Sequence, residues 1–273
     1  MREKMIRVAL VVVLLSGCAP MTQYRRSALT PAPSAPPWHG EPVGAQNVEL
    51  GAQFGGRVVE ERLDPQVGDP ALWIPTFEVG ATVMGGITDW LDLGGVFQYS
   101  HVKMAQANVV GTPPLPGDAN DVWSLGPQIG LGGKFLDGQL FAGGYLALQY
   151  VSIPWSTWEL QTDRSYRLVD SGFDQGLLYR VGAFFGGRPH PVVALYGGVV
   201  VTSSWVNIGF SDEEASGSTL EQDVPSVLPL VGAHLDLQPY APLFLRTAMT
   251  FPIDSDAADY FPIGWDVSLG VKL

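Results

Sequence analysis

The chain has 273 residues, of which 46% are hydrophobic and only 15% are charged, and its formal net charge at pH 7 is −12. This apolar content excludes a disordered chain, because disordered chains carry too little apolar surface to bury. The acidic balance argues against a nucleic-acid partner, because phosphate binding needs a basic surface. The single cysteine, Cys18, excludes an internal disulfide and any multi-cysteine metal site.

The start of the chain predicts a secretory signal peptide. Basic residues precede an apolar run over 8–15 that is too short to span a bilayer. The residues Leu15-Ser16-Gly17-Cys18 resemble a bacterial lipobox, in which the cysteine is acylated and becomes the new N-terminus. The resemblance implies a lipoprotein signal peptide at 1–17, a lipid anchor at Cys18 and recognition by the lipoprotein-sorting machinery. An ordinary signal peptide that contains a cysteine is the alternative.

Residues 18–45 predict a Pro-rich linker in the periplasm. Six prolines in this stretch keep the backbone extended and unable to pair within a sheet. We expect the linker to connect a lipidated Cys18 to the first strand.

Residues 46–273 predict a closed, antiparallel, up-and-down transmembrane β-barrel of about ten strands, with 8 or 12 as alternatives. Segments with period-two alternation cover roughly 46–59, 73–87, 90–102, 122–135, 140–153, 175–187, 192–205, 225–238, 242–252 and 263–273. Tight turns alternate with longer polar loops, which we predict at 60–72, 103–121, 154–174, 206–224 and 253–262. Outer-membrane barrels place their short turns in the periplasm, so an even strand number predicts that both chain ends are periplasmic.

The alternation also predicts which face of each strand meets lipid. In the last segment Trp265 and Leu269 share one face, while Asp266 and Lys272 share the other. A soluble barrel would show the reverse, with apolar residues inside and charges outside. The pattern therefore favours a membrane barrel over its fold-level alternative, a soluble lipidated β-sandwich.

One local motif strengthens this interpretation. Gly86-Ile87-Thr88-Asp89-Trp90-Leu91-Asp92-Leu93-Gly94 resembles the strand–turn–strand of many bacterial outer-membrane β-barrels. The final strand is similar to the signal read by the barrel-assembly machinery, although it ends on Leu273 rather than Phe or Trp. The resemblance covers residues 46–273 as a pattern. It implies an outer-membrane location and contact with membrane lipid and lipopolysaccharide, and it implies no cofactor.

The polar faces supply the candidate functional residues. We predict that the lumen is lined by Glu49, Arg57, Glu78, Gln128, Lys134, Arg180, His234, Asp236, Arg246, Asp266 and Lys272. Strand heights predict three ion pairs, namely Arg57 with Glu78, Arg246 with Asp266, and Lys272 with Glu49. Such charges either fill a small barrel with mutually satisfied partners or line a pathway for a solute.

The leading functional prediction is a narrow pore for small hydrophilic solutes. The first alternative is a plugged barrel that serves adhesion, envelope structure or partner docking through acidic loops such as Asp212-Glu213-Glu214. The second alternative is a barrel enzyme acting on lipid or peptide. We expect no enzyme, because His234 and Asp236 are predicted near the periplasmic end and His101 is predicted to face outward. The sequence shows no catalytic residues and no metal site.

Overall fold

The computed structural model describes residues 23–29, 34–57, 71–73, 77–101, 121–163, 165–208, 220–221, 226–251 and 263–273. These residues contain thirteen strands: β1 (Gln23–Leu29), β2 (Val48–Arg57), β3 (Ala71–Trp73), β4 (Phe77–Gly86), β5 (Leu91–His101), β6 (Asp121–Phe135), β7 (Leu140–Leu160), β8 (Tyr166–His190), β9 (Val193–Ile208), β10 (Leu220–Glu221), β11 (Ser226–Asp236), β12 (Leu243–Thr250) and β13 (Gly264–Lys272). In this described part of the chain, no helix is long and apolar enough to cross a membrane.

Ten of the described strands close into an antiparallel barrel. In order around the barrel these are β2, β4, β5, β6, β7, β8, β9, β11, β12 and β13. The first and last barrel strands pair, with Glu49 opposite Lys272. The backbone N–H of Leu273 donates to the carbonyl of Val48 at 2.9 Å, and the reverse bond has the same length. The predicted closed barrel of ten strands is confirmed.

The predicted faces agree with the observed burial. Leu269 is 55% exposed and Leu125 is 53% exposed, whereas the inward residues Asp266 and Gln128 are 4% and 1% exposed. Successive side chains alternate between the two faces of each strand, so the exterior is apolar and the interior is polar. An exterior of this kind is suited to lipid, and closure leaves no unpaired sheet edge within it.

A charge on this exterior is expected to destabilise the barrel. Leu269→Arg places a guanidinium on the outward face of β13, and we expect a loss of about 2–4 kcal/mol in the free energy of unfolding from phospholipid vesicles. Leu136→Arg, in the turn after β6, is the control and should cost about 0–1 kcal/mol. Equal losses for the two variants, measured by urea titration, would show that Leu269 does not face lipid.

The two ends of the barrel differ. At one end, which we call the short-turn end, tight connections include residues 87–90 and 136–139. The opposite end, the long-loop end, carries the connections that we predicted as long loops. One of those predictions is wrong, because the predicted loop 154–174 is instead a hairpin formed by the outer halves of β7 and β8. The other predicted long loops, with their acidic clusters, lie largely outside the described residues.

The tip of this hairpin is polar. Asp163 accepts hydrogen bonds from the backbone N–H and the hydroxyl of Ser165, at 2.9 and 2.6 Å. These hydrogen bonds hold the pKa of Asp163 below its ordinary value, the side-chain bond contributing most. Below the tip, Arg167 pairs with Glu159 across the two strands. The loop prediction failed here because this stretch mixes polar and apolar residues on both faces.

The predicted linker requires a second correction. Residues 34–43 are all buried, and they lie inside the barrel rather than in an open periplasmic tether. Upstream of them, β1 pairs with the outer half of β7, with Gln23 opposite Leu160. Among the described residues, Gln23 therefore lies toward the long-loop end and Leu273 lies at the short-turn end. The prediction that both chain ends share one side assumed that residues 18–45 stay outside the lumen.

Candidate functional site: the barrel lumen

The lumen is filled by a stretch of the chain that precedes the barrel. We call residues 34–43 the lumen segment. Four prolines occur at positions 31 to 37, and they favour an extended backbone that needs no strand partner. Such a backbone is narrow, and its side chains Trp38, His39 and Glu41 are 2%, 3% and 4% exposed. The lumen segment is therefore as buried as the core of a globular domain.

Trp38 occupies a cleft made by glycines on two adjacent strands. A Cβ atom on Gly130 of β6 or Gly143 of β7 would lie 2.6 or 2.5 Å from the indole ring, so side chains at these positions would exclude it. The indole N–H donates to Asp92 Oδ2 at 2.8 Å, and the ring meets Phe184 edge-on with centroids 6.0 Å apart. The tryptophan is thus fixed by both shape and hydrogen bonding.

The neighbouring His39 packs among aromatic rings. Its imidazole stacks on that of His234, with centroids 4.3 Å apart and an interplanar angle of 8°. Phe141 and Tyr196 contact it at centroid distances of 5.7 and 5.5 Å. On its other face His234 stacks on Phe244 at 5.8 Å. His234 is therefore covered on both faces, and its Nδ1 atom has no hydrogen-bond partner among the described residues.

Charged residues form a continuous network toward the short-turn end. Glu41 accepts from Arg188 Nε at 2.9 Å and lies 3.1 Å from Lys134 Nζ. Glu49 lies 3.1 Å from Arg246 Nη2 and 3.8 Å from Lys272 Nζ. Asp236 connects these two groups, because its Oδ2 atom lies 3.7 Å from Arg188 and 3.9 Å from Lys272. We call this set the basal charge cluster: Glu41, Glu49, Lys134, Arg188, Asp236, Arg246 and Lys272. The lumen segment supplies one of its three acids.

Toward the long-loop end, the lumen segment bonds to polar side chains of the wall. Gln98 donates to the hydroxyl of Ser34 at 2.8 Å. The N–H of Ala35 donates to Asp266 Oδ2 at 2.9 Å, and its carbonyl accepts from Gln53 Nε2 at 3.0 Å. Contacts therefore run along much of the lumen, from Asp266 down to the basal charge cluster.

The structure brings together some, but not all, of the predicted ion pairs. Lys272 approaches Glu49 as expected, whereas Arg246 donates to Glu49 and Asp266 accepts from Ala35. The difference arises because the stagger between tilted strands, which sets side-chain heights, is not readable from alternation. The predicted partner of Glu78, Arg57, has its side chain outside the described residues.

The remaining predicted lumen residues also face inward. Gln128 accepts from the hydroxyl of Tyr145 at 3.1 Å and donates to the carbonyl of Gly95 at 3.2 Å. Glu78 is 3% exposed. Arg180 is 1% exposed, and its Nε and Nη1 atoms have no hydrogen-bond partner among the described residues. The outward prediction for His101 also agrees with the structure, where it bonds to Asp121 at 2.8 Å.

Several residues that fill the lumen were not predicted from the sequence. Trp38, His39 and Glu41 fell within a stretch that was interpreted as a linker, and Asp92 was not selected. One signal was available, since inward glycines such as Gly130 leave space that the wall itself does not fill. Trp38 is a large aromatic residue within a stretch of small residues and prolines. Together with the inward glycines, it could have predicted that this stretch enters the lumen.

The two buried arginines are expected to respond oppositely to substitution. Arg180→Met should leave the free energy of unfolding unchanged or raise it, because it removes a buried guanidinium that has no carboxylate partner in the described structure. Arg246→Met should lower it by about 1–3 kcal/mol, because Glu49 loses its nearer partner. Urea titration of the two refolded variants makes the comparison. An equal or larger loss for Arg180→Met would mean that this side chain has a stabilising partner.

No group of three or more His, Cys, Asp or Glu side chains in the described residues is arranged to hold a metal ion.

No protein-family model matches the sequence, and no curated protein matches it. Among solved structures, the chain is similar to Ail, the attachment invasion locus protein of Yersinia pestis, at 8% identity and a TM-score of 0.33, with 84% of this chain and 99% of that chain covered. It is also similar to the translocator domain of the autotransporter NalP from Neisseria meningitidis, at 10% identity and a TM-score of 0.41, covering 99% and 95%. These identities place no functional residue of either protein on this chain.

Proposed function

We propose that this protein is an outer-membrane β-barrel closed by its own lumen segment, and that it acts through its external surface in adhesion, envelope structure or partner docking. The burial of residues 34–43 within the lumen carries the proposal, because a segment held there occupies the path that a solute would take. The predicted open pore for small hydrophilic solutes becomes the second candidate. It would require the lumen segment to leave.

The membrane and orientation in this proposal rest on the barrel itself. The apolar exterior favours lipid, and barrels of this kind place short turns in the periplasm and longer loops outside. The hairpin of β7 and β8 then projects outward. Signal cleavage after residue 17, acylation of Cys18 and contact with lipopolysaccharide, the barrel-assembly machinery and the lipoprotein-sorting machinery remain part of the proposal.

The proposal assigns no reaction to the barrel. His234, the one inward histidine of the described strands, is covered by His39 and Phe244. Its neighbour on the same face, Asp236, lies near Arg188 and Lys272. A general acid or base needs access to the proton it transfers, and His234 and Asp236 are only 2% and 7% exposed with the lumen segment in place.

Electrical recording in planar bilayers tests the proposal. The full mature chain should give no discrete conductance steps, whereas a variant with residues 34–43 replaced by a Gly/Ser stretch of equal length should conduct. Heat-modifiable migration on gels establishes beforehand that both proteins are folded. Steps of the same size from both proteins would overturn the closed barrel and restore the pore.

A further inference from the structure

The lumen segment runs in one direction from the short-turn end toward the long-loop end. Just before β2, the N–H of Gln46 donates to the carbonyl of Gly86 at 3.0 Å, beside the turn 87–90. Further back along the chain, Val43 and Trp38 both donate to Asp92, the second residue of β5. Ser34 then bonds to Gln98, six residues further along the same strand. These contacts mark an ascent of roughly 20 Å along β5, at about 3.3 Å per residue.

The strand that precedes the lumen segment continues in the same direction. β1 pairs with the outer half of β7, from Ala28 opposite Trp155 to Gln23 opposite Leu160. Leu160 is the last residue of β7 before the hairpin tip. β3 adds to the other edge of β1 in parallel, with Ser27 opposite Ala71. The described residues of the lumen segment and of β1 therefore extend from the short-turn end to the hairpin, and the first of them, Gln23, lies beside the outermost part of the hairpin.

We infer that the mature N-terminus is carried through the barrel lumen to the external face, so that an acyl group on Cys18 would insert into the outer leaflet of the outer membrane. Only four residues separate Cys18 from Gln23, which limits the distance between their Cα atoms to about 19 Å. The apolar band of such a barrel is about 25 Å tall, and the lumen is already occupied. A tail of this length cannot return to the periplasmic leaflet. The inference rests on the orientation given under the proposed function.

The partner surface is therefore lipid of the external leaflet, and the described chain approaches it at Gln23, which lies opposite Leu160 of the β7–β8 hairpin. A barrel with an anchor on its inner side would hold its lipid opposite to its long loops. Here the lipid, the hairpin and the long loops share one side. In this arrangement the barrel itself places its acylated N-terminus at the external face of the outer membrane.

An epitope insertion series tests the route of the chain. One tag is inserted between Met21 and Thr22, and the same tag is placed between Asp137 and Gly138 at the short-turn end or in the hairpin tip after Thr162. Antibody binding is measured on intact cells and after permeabilisation of the outer membrane. The N-terminal tag should be detected on intact cells, as the tip tag is, while the Asp137 tag should require permeabilisation.

Each other result has a definite meaning. An N-terminal tag that needs permeabilisation while the tip tag does not would overturn the inference and leave the closed barrel standing. A reversed pattern for the two control tags would overturn the orientation on which both proposals depend. Conductance steps from the full chain would overturn the proposal that the barrel is closed, and they would leave the result for the N-terminal tag unchanged.

A disulfide in the native membrane provides a second measurement that needs no antibody access. Arg26 is opposite Thr157 in the β1–β7 register, so the pair Arg26→Cys with Thr157→Cys should form a disulfide under mild oxidation. Arg26→Cys with Gln139→Cys, in the short turn just before β7, is the matched control and should not form one. A linked peptide only in the control pair, or in neither folded variant, would refute the external route.

Discussion

Replacing Trp38 with alanine is expected to open the barrel to ions and to lower its free energy of unfolding by about 3–5 kcal/mol. Trp38 is 2% exposed and fills the space left by Gly130 and Gly143. Alanine leaves that space empty and removes the hydrogen bond to Asp92, which is itself fully buried. The surrounding wall cannot collapse into the gap, because closed strand pairing fixes the radius of the barrel.

Trp90 provides the matched control for this substitution. It lies in the tight turn before β5 and is 58% exposed, so Trp90→Ala removes an equal volume without creating an internal cavity. Urea titration and planar-bilayer recording of both variants should separate them, with conductance steps only from Trp38→Ala. If Trp38→Ala stays silent and as stable as Trp90→Ala, the indole does not close the lumen.

Glu41→Gln is expected to lower the free energy of unfolding by about 1–3 kcal/mol, because it removes the carboxylate that pairs with Arg188, which is 18% exposed, and with the more exposed Lys134. Glu41 is 4% exposed and lies within ion-pair distance of both Lys134 and Arg188. Asp236, 3.7 Å from Arg188, offsets only part of the loss. Since Glu41 is the acid that the lumen segment contributes, its removal also loosens that segment at the short-turn end.

A second acid of the chain serves as the control. Glu159 pairs with Arg167 on the projecting hairpin, where Arg167 is 69% exposed, so Glu159→Gln should cost no more than about 1 kcal/mol. The double variant Glu41→Gln with Arg188→Gln should recover part of the loss, because it removes one of the stranded charges. A loss for Glu41→Gln no greater than that for Glu159→Gln, in the same urea titration, would show that the lumen segment is not held by this carboxylate.

The agreement between sequence and structure is greatest for the wall of the barrel. Outward residues such as Leu125 and inward residues such as Gln128 were placed on the correct faces, because each face meets a single solvent along its whole length. Alternation does not predict the structure where that condition does not apply. The outer halves of β7 and β8 extend beyond the barrel, and their residues follow no single alternation. They were therefore predicted as a loop.

For the interior of the barrel, the sequence predicted which residues lie there but not which of them pair. Charged residues expected inside, such as Glu49, Arg180 and Asp266, are buried in the described structure, whereas Lys134 is 45% exposed. Arg246 lies beside Glu49 instead of forming the predicted pair with Asp266. Partner choice depends on the stagger of strands that are far apart in sequence. Glu49 and Arg246 are separated by 197 positions and meet only when the sheet closes. No local pattern encodes such a contact.

The sequence by itself determined a closed barrel with an apolar exterior. Lipid requires apolar residues on the outward face of every strand, and this requirement produces an apolar–polar alternation with a period of two residues. The tertiary structure alone decided what fills that barrel. An extended, Pro-rich stretch has no hydrophobic periodicity, so its sequence predicts a tether whether the stretch lies in solvent or in a lumen. Trp38 and Glu41 acquire their roles from Gly130, Asp92 and Arg188, which only closure of the barrel brings around them.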